Sequence, residues 1–185
     1  MEKLDLEAQL KAVEKEFSIG GGGTFKFEEG ENRLRILDLY LLKPIATHFI
    51  NKKPFTCYGE DEGCSYHGEN APLDEEGNPR QPSMKFLAYV LAEENERVQI
   101  ARITYGVVKE IVRLKSDNEW SFDNFPMPYD LKILYNPKFA GSLMYKVIPS
   151  PRLTPIEPDI LEQLNKKKPL AEVLEDWKEA AKNEA

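Results

Sequence analysis

The chain has 185 residues, 41% of them hydrophobic and 31% charged, with a net charge of −7. That size suits one core with appendages rather than two independent cores. No apolar run approaches the roughly 20 residues needed to cross a bilayer, and the acidic start, with Glu2, Asp5 and Glu7, is unlike a signal peptide, so a cytoplasmic protein without membrane attachment is expected.

Acidity this strong argues against a nucleic-acid ligand, because Lys and Arg supply most of that affinity. Its distribution argues the other way. Seven acids and no base lie between Glu60 and Glu76, and both ends are acidic, whereas residues 24–58 and 77–155 together carry a surplus of positive charge.

In chain order, Leu6, Leu10, Val13 and Phe17 fall on one face of a short amphipathic helix. Four glycines, Gly20 to Gly23, follow without the lysine of a phosphate-binding loop and read as a linker, so residues 1–23 form an arm. Residues 33–40 alternate as a strand that puts Arg33 and Arg35 on one exposed face and Leu34 and Ile36 on the other. Met84 to Ala92 and Arg97 to Tyr105 read as a hairpin around a charged turn. Val107, Val108, Ile111, Val112 and Leu114 then give a helix of two to three turns, and 130–135 and 142–148 give two more strands.

The order strand, long insertion, strand, strand, helix, strand, strand predicts a mainly β protein. It fits a five-stranded OB-type barrel, with the insertion, about residues 46–80, after the first strand and short helices at both ends. The barrel is expected over 24–152. Four prolines between Pro149 and Pro158 make 153 onward begin as a strap rather than a helix or inner strand. A last acidic helix carries Leu170, Val173, Leu174, Trp177 and Ala181 as an apolar stripe, for packing on the barrel or for a partner.

The insertion holds every cysteine and histidine of the chain, at His48, Cys57, Cys64 and His67. Four such ligands suit a tetrahedral structural Zn2+ with no open position, and glycines 59, 63 and 68 permit the tight turns chelation needs. A Cys57–Cys64 disulfide is the alternative. Basic and aromatic residues interleave around it, which is what single-strand binders need: cations for phosphates and flat rings for unpaired bases. Arg33, Arg35, Lys52, Lys53 and Arg102 are the candidate phosphate contacts, and Tyr58, Tyr89 and Tyr105 the candidate stacking residues. Trp120, Phe122 and Phe125 read as core. With both histidines committed to metal, and no nucleophile motif, no catalytic residue is expected.

The ligand order His48, Cys57, Cys64, His67, with the segments Gly30 to Leu37, Lys85 to Val90 and Phe125 to Asp130, resembles the helix-destabilising single-stranded-DNA-binding proteins of tailed phages. Their OB fold carries a zinc insertion with a His, Cys, Cys-x2-Cys set; here a histidine replaces the last cysteine and the spacings are shorter. The resemblance covers about residues 24–152. It implies binding of single-stranded DNA with little sequence preference in replication, recombination or repair, inside a bacterial or phage-infected cell. It further implies self-association along DNA through the N-terminal arm and recruitment of replication or recombination proteins through the C-terminal segment. A zinc-containing protein-interaction adaptor and a single-stranded RNA binder are the rival readings.

Overall fold

The computed structural model describes residues 24–50, 53–93, 97–139 and 141–184. The expected N-terminal helix and glycine linker lie outside the described residues, as does Lys52.

Strands β1 (Thr24–Phe25), β2 (Gly30–Leu39), β3 (Ile45–Ile50), β4 (Lys53–Thr56), β5 (Ser83–Ala92) and β6 (Val98–Thr104) precede helix α1 (Tyr105–Lys115). Strands β7 (Tyr129–Tyr135) and β8 (Tyr145–Leu153) and helices α2 (Pro158–Asn165) and α3 (Leu170–Glu184) complete the described chain. The strand order is β1-β6-β5-β2-β7-β8, with β3 joined to β5 and β4 to β3.

One long strand, β5, organises the sheet. Its C-terminal half pairs with β2 (Leu34 opposite Ala92), its N-terminal end with β3 (Ile45 opposite Lys85), and its other edge with β6 throughout. A bulge between Ile36 and Asp38 bends β2 and increases its twist. The result is a curled half-barrel.

Alternation sorts each strand into two faces. The inner face gathers Leu34, Ile36, Ala88, Val90, Ile103, Leu131 and Ile133, and α1 closes it with Val107, Val108, Ile111 and Leu114. Phe122 is buried in the same core, with Trp120 and Phe125 packed against it.

The expected closed five-stranded barrel is not what forms. Among the described residues β6 and β8 do not pair; β1 takes the open edge of β6 in parallel, with Thr24 opposite Ile100. Side chains bridge the remaining opening, where Phe27 meets Tyr145 edge-on with centroids 5.5 Å apart.

Three further elements depart from the sequence expectation. The last strand, expected over 142–148, starts later and runs further, since β8 continues through Pro149 and Pro151 to Leu153; it pairs only with β7, so the missing amides cost no second ladder. The insertion contains the β3–β4 hairpin, with His48 opposite Phe55. Helix α2 was not anticipated, its eight residues following directly on the prolines with Pro158 in the first turn, where the lost N–H is unneeded.

Helices α2 and α3 cover the outer face of β5 and β6. Ile160, Leu170, Val173 and Leu174 pack on Leu37, Ile45, Leu87, Tyr89 and Val98, so the apolar stripe of the C-terminal helix is used inside the chain. Each such burial contributes about 1.5–3 kcal/mol. Two hydrogen bonds fix the cover: Tyr89 Oη donates to the Lys168 carbonyl at 2.7 Å, and the Val98 amide donates to Gln163 Oε1 at 3.1 Å. No described helix is long and apolar enough to cross a membrane.

Candidate metal centre

The β3–β4 hairpin presents the first two ligands. Thr47 pairs with Thr56 and His48 with Phe55, and the Cys57 amide extends the ladder by donating to the Ala46 carbonyl at 2.8 Å. Alternation therefore turns His48 and Cys57 to one side of the hairpin and Thr47 and Thr56 to the other.

A tight loop returns the other two ligands. The Cys64 amide donates to the Gly59 carbonyl at 3.0 Å and that of Gly63 to the Glu60 carbonyl at 2.9 Å. Gly59 at φ +112° and Gly63 at φ +85° hold backbone conformations that a Cβ disfavours.

The four ligand atoms lie within 4.8 Å of one another. Cys57 Sγ is 3.1 Å from His67 Nε2, and Cys64 Sγ is 3.7 Å from His48 Nε2. A tetrahedral ion with bonds of about 2.0–2.3 Å spaces its ligands about 3.5 Å apart, so two pairs already stand near that spacing and the set could hold a metal ion after a small contraction of its wider separations. Both cysteines are free and buried, with their thiols available as ligands.

The electrostatics suit a cation. Burial, and then the neighbouring His67, push His48 below the usual histidine range and keep it neutral, the form that ligates. Burial pushes the Cys57 thiol up, against a hydrogen bond from the Gly59 amide that favours the thiolate. A central cation would supply the missing compensation. Glu60 Oε2 stands 3.9 Å from His67 Nδ1, a loose contact beyond hydrogen-bond reach.

Little else could hold the loop together. Its apolar neighbours are Phe55, Tyr58, Tyr66, Ala46 and Ala181, the last from α3. Lys182 of the same helix pairs with Glu62, and its ammonium lies 5.9 Å from the Tyr58 ring centroid.

The residues expected to meet nucleic acid do not form one open surface. Arg33 is exposed and paired with Glu31 and Glu93. Arg35 does not share that exposed face: its side chain is 4% exposed, held by Asp130 at 2.6 Å and by the Thr154 carbonyl, because the chain after β8 folds over it. Tyr58 is buried beside the metal loop and Tyr89 beneath α3, while the Arg102 guanidinium lies 4.6 Å from the Trp177 ring centroid. Tyr105, at the start of α1, is open to solvent. Lys53 lies in β4, its side chain outside the described set.

Sequence reasoning missed Trp177 as the lid over Arg102, since its helical spacing signals only an apolar stripe. It also missed exposed Phe139 and Leu143 on the β7–β8 loop, which no local pattern marks. No family model, curated protein or solved structure matches the chain.

Proposed function

We propose that the protein binds single-stranded nucleic acid, DNA in the first instance, on an OB-type scaffold whose insertion is held by a structural Zn2+. The observation that carries this reading is topological. The sheet order β6-β5-β2-β7-β8, with α1 between β6 and β7, follows the strand order of an OB fold, and the metal loop falls in the first inter-strand connection. In that fold the first and fourth connections flank the ligand. Here the fourth is the β7–β8 loop, with exposed Phe139 and Leu143 next to Lys138. An open ring beside a cation is the pairing that single strands use.

Zinc is the metal this donor set favours. Two thiolates and two imidazoles match its tetrahedral preference, and four protein ligands leave no open position for chemistry. His48, Cys57, Cys64 and His67 hold it; its role is to fix the hairpin and the loop against each other. Elemental analysis of the purified chain is expected to find one zinc per molecule, removed by a strong chelator.

The covered outer face of β5 and β6 favours a second reading, a zinc-stabilised adaptor that binds protein, since Tyr89 and Arg102 are taken up by α3. One titration separates the two. Labelled oligothymidine and a duplex of equal length are titrated at two salt concentrations. Tighter binding of the single strand, weakening as salt rises, supports the strand reading. No binding to either at low salt rejects it in favour of the adaptor.

A further inference from the structure

On the side of the β3–β4 hairpin facing away from the metal ligands, six polar side chains converge beneath α3. Thr47 is opposite Thr56 and Ser83, Lys85 is opposite Thr104, and Arg102 is opposite Leu87, all in register and therefore on one face. Arg102 reaches across this face to donate to Thr56 Oγ1 at 3.2 Å, with Trp177 over its guanidinium.

The cluster is chemically one-sided. Lys85 and Arg102 are close enough that the Arg102 charge adds to burial in pushing the Lys85 ammonium below the usual lysine range. Among the described residues neither forms an ion pair. Four buried polar side-chain atoms lack a hydrogen-bond partner in the described structure, and three belong here: Thr47 Oγ1, Thr104 Oγ1 and Arg102 Nε. Thr47 is 1% exposed. Buried donors without acceptors, beside two cations without a counter-charge, are costly to leave so. An acceptor-rich anion removes both costs together.

We propose that Lys85, Arg102, Thr47 and Thr104, with Thr56 and Ser83 beside them, form a binding site for a phosphate-class oxyanion between the sheet and α3. A tetrahedral oxyanion offers several acceptors in different directions, which fits donors converging from β3, β5 and β6. The partly exposed Lys85 and Thr104 mark the side from which it enters. The site stands whether or not a nucleic-acid strand binds elsewhere.

Inorganic phosphate titrated into the zinc-loaded full chain, followed by phosphorus NMR and by thermal unfolding at constant ionic strength, tests this. Saturable line broadening and a rise in the unfolding midpoint are expected, with acetate giving neither. Lys85→Met and Thr47→Val, each checked by circular dichroism to be folded in chloride, are expected to weaken phosphate binding at least tenfold. Absence of saturable binding, an equal effect of acetate, or unchanged binding in both folded variants overturns the proposal. Oligothymidine without terminal phosphates then identifies the source: displacement of bound phosphate assigns the site to the backbone of a strand, and persistence of the phosphate signal assigns it to free phosphate.

Discussion

The phenol of Tyr89, in the middle of β5, donates to the main-chain carbonyl of Lys168, two residues before α3 begins, at 2.7 Å. It fastens the covering helices to the sheet at their entrance. Tyr89→Phe should therefore lower stability by about 1 kcal/mol in urea unfolding, the usual worth of one such bond.

The same residue gives the protein an alkaline weakness. Burial, helped by the Asp38 charge, pushes the Tyr89 phenol up to about 12. The unfolded phenol ionises near 10, so between about pH 10 and 12 the unfolded state loses a proton that the folded state keeps. The stabilisation is complete below pH 10 and fades as pH rises through 12. A urea series across that range should show Tyr89→Phe losing less stability than the parent; parallel curves would assign the effect to another group.

Packing of α3 predicts a contrast between two leucines. Leu174 is 1% exposed and should cost about 2–5 kcal/mol when cut to alanine, whereas Leu161, 39% exposed on α2, should cost under about 1 kcal/mol. Equal losses would mean that burial under α3 does not set Leu174 apart and would overturn the contrast.

Arg35 and Asp130 form a lopsided pair, one side chain 4% exposed and the other 41%. Removing the aspartate strands a buried guanidinium. For a fully buried pair that costs about 3–5 kcal/mol, and with one partner half in water about 1–3 kcal/mol is expected for Asp130→Ala. Adding Arg35→Met should recover part of the loss, read from the denaturation midpoint of the double variant.

At the metal loop, Gly63→Ala forces a Cβ into a left-handed backbone at a point with open space around it. The strain of about 1–2 kcal/mol should appear as roughly tenfold weaker metal affinity in competition with a chelator. An unchanged affinity would show that the loop relaxes elsewhere.

The parts legible in the sequence were those whose signal is local. Alternation located β2, β5, β6 and β7 to within a few residues, helical spacing located α1, and the clustering of His48, Cys57, Cys64 and His67 named side chains that the fold brings together. What stayed hidden depends on distant partners. Arg35 alternates with core residues and so looks exposed, until Thr154 and Asp130 close over it from 119 and 95 residues away. Tyr89 and Arg102 looked like ligand contacts because nothing in their own strands reveals that Trp177 and Lys168 come to rest on them. The half-open barrel escaped notice for the same reason, since pairing of β1 with β6 joins segments some 75 residues apart.

The prolines of the sheet have one more consequence. Strand β8 carries Pro149 and Pro151, and β4, at the end of its branch, carries Pro54. An outer strand rich in free amides invites another chain to zip onto it, and proline takes those donors away. Two borders of the sheet are thus poor templates, which lets molecules crowd together without growing into a fibre through their backbones.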